Sequence, residues 1–199
     1  MKHSVIRLFD YSIISLALCA TGCFNEPEPA YKTVPAENRV YLQEKDLKAV
    51  PEVVATADYL NLDRNQLESA AGVEKLTELK WLRLNENRLA SLPDLSALAK
   101  LRRIYLRDNK FTAVPETLKD LPSLTDIELS GNPIKTIPDW LAEKQGLLFL
   151  SFNRTQITAL PQDLSAWKGL KALQLGELSL SAEEMARIRA ALPDVAITF

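Results

Sequence analysis

Histidine and cysteine are nearly absent from this sequence of 199 residues. The single histidine is His3, and the two cysteines are Cys19 and Cys23. After residue 23 the chain therefore lacks the side chains for Ser-His-Asp or Cys-His catalysis, for zinc sites built on His or Cys, and for internal disulfides. The six glycines are too dispersed for a phosphate-binding loop or a dinucleotide fingerprint. We expect no catalytic residues, no metal and no cofactor.

A surplus of positive charge is also missing. The 24 Lys and Arg residues are balanced by 26 Asp and Glu residues, which gives a net charge of −2. Proteins that bind nucleic acid through its phosphates need a basic surplus on some face. We therefore expect no nucleic-acid partner.

Residues 1–22 have the layout of an export signal. Lys2 and Arg7 precede a short apolar run, YSIISLALCA, at residues 11–20. This run is about half of the roughly 20 residues that span a bilayer, which favours a signal peptide over a transmembrane anchor. The next residues complete an Ala-Thr-Gly-Cys sequence that resembles the lipobox of bacterial lipoproteins. The resemblance implies cleavage after Gly22 and acylation of Cys23.

The alternative is a soluble exported protein that is cut nearby and keeps an idle thiol. Acylation of Cys23 is favoured because a lone thiol in an exported protein is exposed to oxidation. Phe24 follows the cysteine, in place of the Asp that marks inner-membrane retention in many enteric lipoproteins. By that resemblance we expect an outer-membrane rather than an inner-membrane location. Residues 23–36 hold three prolines and no glycine, and we interpret them as an extended tether.

Residues 37–199 contain a repeat. Units that begin at residues 57, 79, 101, 124, 147 and 170 follow the spacing Leu-x-x-Leu-x-Leu-x-x-Asn-x-Leu, which Leu79 to Leu89 match fully, and a fainter unit begins at Glu37. Position 15 of the unit is proline five times, as Pro51, Pro93, Pro115, Pro138 and Pro161. Two interleaved patterns in one register resemble the leucine-rich repeat family, in the form of 22–23 residues that is common in bacteria.

The resemblance implies an α/β solenoid: a leucine-rich repeat arc with a parallel concave β-sheet, an irregular convex side and a C-terminal helical cap. Each unit is expected to form a short strand at positions 3 to 7, with positions 4 and 6 inward and positions 3, 5 and 7 outward. The Asn at position 9 is expected to turn inward and bond the backbone, and the Pro at position 15 to fix an extended return path. For the cap, Ser181 to Glu184 predict a capping box, followed by a helix and a terminal strand at Val195 to Phe199.

The outward positions are the candidate binding surface. Aromatic residues and arginine, the types enriched at interface hot spots, collect there. The candidate binding residues are Tyr41, Tyr59, Trp81, Arg83, Arg103, Tyr105, Arg107 and Phe149. The alternative is that the aromatic residues pair across strands for stability alone, although this explains Trp81 less well.

Asp126 and Glu128 lie side by side on one predicted strand. Such a pair could serve glycoside hydrolysis, but on an open, wet face we expect nothing to raise the pKa of either carboxyl. A solvated acidic patch that faces the arginines is the favoured interpretation.

Three functional hypotheses follow. The sequence favours a membrane-anchored lipoprotein whose concave face binds a protein or peptide, while acylated Cys23 holds it to the lipid bilayer. The second is a structural or assembly component of the cell envelope without a dedicated ligand. The third, an enzyme, is disfavoured because the sequence offers no pair of nucleophile and base.

Overall fold

The computed structural model describes residues 38–199. The predicted signal peptide at 1–22, acylated Cys23 and the tether at 23–36 lie outside the described residues, so these assignments remain predictions. None of the helices within residues 38–199 has the length and hydrophobicity that crossing a bilayer requires.

The described chain forms one parallel sheet of eight three-residue strands in chain order. Neighbouring strands pair through the same position of successive units, as Leu60 does with Leu82. The predicted terminal strand is present and extends the sheet as its eighth strand. The strands are β1 Arg39–Tyr41, β2 Tyr59–Asn61, β3 Trp81–Arg83, β4 Arg103–Tyr105, β5 Asp126–Glu128, β6 Phe149–Ser151, β7 Ala172–Gln174 and β8 Ala196–Thr198.

The hydrophobic core is built from the inward positions of the units, as predicted. The residues at position 4 of the units from β2 to β7 are fully buried: Leu60, Leu82, Ile104, Ile127, Leu150 and Leu173. Position 6 is buried in the same units. One unit cannot enclose its own apolar side chains, so each unit depends on its neighbours for burial.

The strands are shorter than the predicted span of positions 3 to 7, because they end at position 5. The backbone ladder nevertheless continues: Leu62 N–H donates to Arg83 O at 2.9 Å, and Arg64 N–H donates to Asn85 O at 2.9 Å. Position 8 has a left-handed backbone, which turns the chain away from the sheet; Arg64, for example, has φ 55°.

The predicted role of the position-9 asparagines is confirmed. Asn87 Nδ2 donates to Leu62 O and Leu84 O, and its Oδ1 accepts from Leu67 N–H at 3.1 Å. Asn65, Asn109 and Asn132 form equivalent bonds to their own unit and to the unit before. Each asparagine therefore satisfies buried backbone groups of two units and joins them.

The side opposite the sheet is more helical than the predicted irregular path. Pro115 and Pro138 have the expected extended backbone, but a helical turn follows each of them directly. Proline suits this place because it brings no N–H group that would need a partner. The helical segments are α1 Asp139–Glu143 and the 3₁₀ turns Val73–Lys75, Glu116–Leu118 and Ser165–Gly169.

The predicted helical cap is present as α2, Ala182–Ala191. Ser181 Oγ accepts from Glu184 N–H at 3.2 Å, which is one half of the predicted capping box. The other half was wrong, because the Glu184 carboxylate is used elsewhere. It accepts from Leu160 N–H at 2.8 Å and pairs with Arg187 at 2.8 Å, so it fastens the cap to the preceding unit.

Candidate functional site

One face of the sheet presents the side chains at positions 3, 5 and 7. Successive side chains of a strand point to opposite faces, and positions 4 and 6 enter the core, so positions 3, 5 and 7 point away from it. We call this surface the concave face. Its N-terminal half lies on β1 to β4 and its C-terminal half on β5 to β8.

Three aromatic rings cross the first three strands of the concave face. The ring centroids of Tyr41 and Tyr59 are 5.2 Å apart at an interplanar angle of 44°, and those of Tyr59 and Trp81 are 5.8 Å apart at 60°. These separations are typical of favourable ring pairs. Tyr41 is 48% exposed, whereas Tyr59 and Trp81 are half-buried. The rings form a continuous aromatic strip that is most accessible at Tyr41.

The Arg103 guanidinium continues the aromatic strip onto β4. Its Cζ atom lies 4.7 Å from the ring centroid of Trp81, a cation–π geometry. Its Nε atom lies 3.5 Å from Asp126 Oδ1, and both of these side chains are largely covered. Arg103 therefore fixes the orientation of Trp81 and links the two halves of the concave face.

Arg83 lies beside Tyr105 in the next row of side chains. Its Cζ atom is 5.2 Å from the Tyr105 ring centroid, and its Nε donates to Asp63 Oδ2 at 2.7 Å. Asp63 is buried, and its Oδ1 also accepts from Asn85 N–H at 2.7 Å. The Arg83 side chain is still 38% exposed, so it is held in place and remains accessible.

Arg107 stands where the concave face meets a charged edge. This edge consists of the position-8 side chains of successive units. Arg107 Nη2 is 2.8 Å from Glu86 Oε1, and Arg107 Nε is 3.3 Å from Asp108 Oδ2. Arg64 pairs with Glu86 at 3.2 Å in the same edge. Ion pairs between exposed groups contribute little to stability one by one, but a row of them orders the side chains around Arg107.

Gly131 interrupts the charged edge, and the side chains at position 8 of the units on either side form an ion pair across it. Arg154 Nη2 lies 3.1 Å from Asp108 Oδ1, although these residues are two units apart. A Cβ atom at residue 131 would lie only 1.9 Å from Asp108 Oδ1. Glycine at this position thus leaves the space that the carboxylate occupies.

In the C-terminal half of the concave face, hydroxyl and amide groups are linked to one another by hydrogen bonds. The Ser130 and Ser151 hydroxyls are 2.6 Å apart, and Ser151 Oγ donates to Gln174 Oε1 at 2.9 Å. Asn153 Nδ2 donates to the same Gln174 oxygen, and Asn153 Oδ1 accepts from Gly176 N–H. This chain of hydrogen bonds spans β5 to β7 without an aromatic ring.

Two titratable groups of the concave face have raised pKa values, and burial is the main cause of both. Burial raises the pKa of Tyr59 to about 12. Burial also raises the pKa of Glu128, against the opposing effect of the Ser130 N–H group, which donates to Glu128 Oε1 at 2.8 Å. The expectation that nothing on this face raises a carboxyl pKa was therefore wrong for Glu128, because neighbouring strands cover its side chain.

The structure separates the candidate residues into two groups. Seven of them lie together on the N-terminal half: Tyr41, Tyr59, Trp81, Arg83, Arg103, Tyr105 and Arg107. Phe149 lies on β6, beyond the Arg103–Asp126 ion pair. Their role in binding remains a prediction.

Sequence reasoning missed the acidic residues that hold the arginines. Asp63 fixes Arg83, while Glu86 and Asp108 fix Arg107. A column of charged residues at position 8, visible in the sequence, could have indicated the charged edge. Across residues 38–199, no group of three or more His, Cys, Asp or Glu side chains could hold a metal ion.

Many solved structures share this architecture, two bacterial proteins among them. An internalin from Listeria monocytogenes is 24% identical to the chain, with a TM-score of 0.62, over 73% of this chain and 45% of that one. YopM from Yersinia enterocolitica is 28% identical, with a TM-score of 0.59, over 72% of this chain and 30% of that one. The chain spans less than half the length of either protein. No match was found among curated protein sequences.

The sequence itself matches a known family. A Leucine rich repeat profile matches residues 77–134, which include β3, β4 and β5. Residues 38–199 form a leucine-rich repeat domain. The predicted fold class is confirmed, and this repeat fold is consistent with a protein-interaction module.

Proposed function

We propose that the leucine-rich repeat domain is a binding module for a protein or peptide, which it contacts through the N-terminal half of its concave face. The observation that carries this proposal is the aromatic strip beside Arg83 and Arg107. The strip begins at Tyr41, which is 48% exposed, and both arginines keep more than a third of their side chains accessible. Pre-positioned aromatic and arginine side chains lose little entropy on binding, which favours affinity.

The alternative is a structural or assembly component of the cell envelope without a dedicated ligand. One observation favours it: much of the strip already serves the domain itself. Arg103 stacks on Trp81 and pairs with Asp126, and Tyr59 packs between Tyr41 and Trp81. Under this alternative the rings and guanidinium groups stabilise the sheet and contact nothing else.

The proposal includes a membrane anchor. The support is the Ala-Thr-Gly-Cys sequence, from which we infer that acylated Cys23 attaches an exported bacterial lipoprotein to the outer membrane. Metabolic labelling with an alkyne fatty acid would test this inference. We expect label on the wild-type chain and none on a Cys23→Ser variant, and co-fractionation with outer rather than inner membranes.

The proposal excludes catalysis. Its support is the lack of a histidine after His3, and of a cysteine after Cys23, for nucleophilic chemistry. Glu128, whose pKa is raised by burial, is the residue best suited to act as an acid. Release of sugars from envelope glycans by the wild-type chain, abolished by Glu128→Gln, would contradict the exclusion.

Site-specific photo-crosslinking tests the binding proposal. A photoreactive amino acid replaces Tyr41 on the concave face or, as a control, Val54, which is 53% exposed but lies outside the sheet. In intact cells we expect one defined cross-linked protein from position 41 and not from position 54. Adding Trp81→Ala should abolish this product while the chain stays folded.

The envelope alternative predicts a different outcome. If position 41 gives no defined cross-linked product and Trp81→Ala strongly lowers the melting temperature, the strip is structural. Identical products from positions 41 and 54 would show that the concave face has no special role.

A further inference from the structure

A cationic, an aromatic and an acidic side chain lie next to one another in one row of the concave face. Arg83, Tyr105 and Glu128 all lie at position 5 of their units, and the strand register places Arg83 beside Tyr105 and Tyr105 beside Glu128. The row therefore runs from a cation across an aromatic ring to a carboxylate. Strands are about 4.8 Å apart, so the two charged residues are separated by roughly 10 Å.

Arg83 retains unused hydrogen-bonding capacity. Its Nε atom binds Asp63, but its two terminal nitrogens donate no hydrogen bond to any residue within 38–199. A guanidinium carries five N–H donors, and its planar fork binds a carboxylate through two parallel bonds. Because Asp63 and the Tyr105 ring already fix the group, an incoming carboxylate would find it in a defined orientation.

Glu128 offers the complementary charge. Its carboxylate accepts from Ser130 N–H but is in no ion pair with the residues that the structure describes. Tyr105 faces it from β4, Arg107 from the segment that follows β4 and Ser151 from β6, and Asp126 is on its own strand. Burial raises its pKa despite the favourable field of Arg107. A cation that came close would favour the ionised form of Glu128.

Cations are scarce around Glu128. In the units that contain β5, β6 and β7, the outward positions 3, 5 and 7 carry no lysine or arginine: they are Asp126, Glu128, Ser130, Phe149, Ser151, Asn153, Ala172, Gln174 and Gly176. The N-terminal half carries four arginines at such positions: Arg39, Arg83, Arg103 and Arg107. The concave face is thus electrostatically asymmetric along the direction from β1 to β8.

We propose that the partner presents an extended segment with an acidic and a basic side chain about 10 Å apart, whose acidic group binds Arg83 and whose basic group binds Glu128 across the Tyr105 ring. This inference rests on the proposed function and adds the charge order of the ligand. An extended chain advances about 3.3 Å per residue, so the two side chains are roughly three residues apart. Charge complementarity at both ends fixes the direction in which the segment lies.

Peptide selection followed by double-mutant cycles tests the proposal. A displayed library of random dodecapeptides is selected on the full chain, and binders that Trp81→Ala abolishes are kept. In these peptides we expect an acidic and a basic residue two to four positions apart. Replacing the peptide's basic residue by Gln should weaken its binding to the wild-type chain about tenfold. The same replacement should weaken its binding to the Glu128→Gln variant less than about twofold.

A second double-mutant cycle, with its own control variant, tests the contact between the peptide's acidic residue and Arg83. Arg83→Lys keeps a positive charge for buried Asp63 but loses the bidentate fork, so we expect severalfold weaker binding that depends on the peptide's acidic residue. Glu68→Gln removes an exposed carboxylate outside the sheet and should leave every affinity unchanged. Melting temperatures of the variants verify that they remain folded.

The pH dependence gives an independent measurement. The basic residue requires ionised Glu128, so affinity for the wild type should fall as pH is lowered through the raised pKa of that carboxyl, and should fall less for Glu128→Gln. Peptides that need Trp81 but bind Glu128→Gln and Arg83→Lys as well as the wild type would overturn the charge order and leave the proposed function intact. If no selected peptide depends on Trp81, both proposals are wrong.

Discussion

The two halves of the concave face share a scaffold and differ in chemistry. On β1 to β4, rings and guanidinium groups stack on one another, as Arg103 does on Trp81. On β5 to β7, hydroxyl and amide groups form a hydrogen-bonded chain that includes Ser151 and Gln174. The inward residues are equally well buried in both halves. The comparison shows that in this repeat fold the inward residues hold the units together, while the outward residues can differ from unit to unit and determine the chemistry of the surface.

A second difference concerns the residues at position 9, beneath the concave face. We call the hydrogen bonds by which the asparagines at this position join successive units the position-9 ladder. The units of β2 to β5 have an asparagine at this position, whereas the units of β6 and β7 have Thr155 and Leu178. Thr155 is buried, and its hydroxyl has no hydrogen-bond partner among residues 38–199. An asparagine at position 155 would accept a hydrogen bond from Ile134 N–H. In this chain Ile134 N–H donates instead to Asn132 O at 2.8 Å. The ladder therefore ends at Asn132, and the cap secures the remaining units.

The largest expected effect comes from breaking the ladder in the N-terminal half. Asn109→Ala removes the acceptor of Leu89 N–H and a donor to two buried carbonyls, Leu84 O and Leu106 O. We expect a loss of about 3 kcal/mol in the free energy of unfolding, because buried backbone groups lose their partners. The urea midpoint of the full chain measures this loss.

Thr155→Ala is the matched variant in the C-terminal half. Its hydroxyl forms no hydrogen bond within the described part of the chain, so we expect the free energy of unfolding to fall by less than about 1 kcal/mol, owing to the lost methyl group. Equal losses at positions 109 and 155 would show that the ladder contributes no more than packing does.

Gly131 separates the two halves of the charged edge, and its substitution is expected to have the next largest effect. In Gly131→Ala, the new methyl group meets the Asp108 carboxylate, and alanine must take φ near +68°. We expect a loss of about 1–2 kcal/mol, since a left-handed backbone is unfavourable for residues with a Cβ atom. Adding Asp108→Ala relieves the contact but not the backbone strain, so partial recovery in thermal unfolding distinguishes the two causes.

Much of the architecture could be predicted from periodicity. The spacing of Leu82 and Leu84 predicted the buried face of β3, and the position of Asn87 predicted that its side chain turns inward and bonds the backbone. That the same side chain also bonds the preceding unit is visible only in the structure. These features repeat, so each unit supports the interpretation of the others. The helical turns after Pro115 and Pro138 could not be predicted, because they depend on how neighbouring units pack on the side opposite the sheet.

The candidate site was predictable in outline only. Alternation along the strands placed Trp81 and Arg83 on the concave face. Single-sequence patterns do not reveal which acidic group meets which arginine, so the Asp63 contact was missed. The raised pKa of Glu128 was missed for a similar reason: burial of its carboxyl depends on β4 and β6, which are distant in sequence.

Placing an asparagine at position 155 should extend the position-9 ladder by one unit and so reduce the difference between the two halves. In Thr155→Asn, the new side chain reaches the place where the other asparagines donate to backbone carbonyls, and its oxygen can accept from Ile134 N–H. We expect a gain of about 1 kcal/mol, the net value of a satisfied buried hydrogen bond. A rise in the urea midpoint with an unchanged slope would support this, and a fall would show that the C-terminal half has adapted to threonine.

The smallest expected effect concerns Glu128 and the pH dependence of stability. Burial raises the pKa of this carboxyl in the folded chain above its unfolded value, so the folded state binds the proton more tightly. The resulting stabilisation is present below the unfolded pKa and is lost as pH rises through the folded pKa. Glu128→Gln keeps an acceptor for Ser130 N–H without the charge, so above that range its melting temperature should slightly exceed that of the wild type, and the difference should shrink in acid. A wild type that is the more stable at neutral pH would instead mean that ionised Glu128 is already well compensated by Arg107 and the serine hydroxyls.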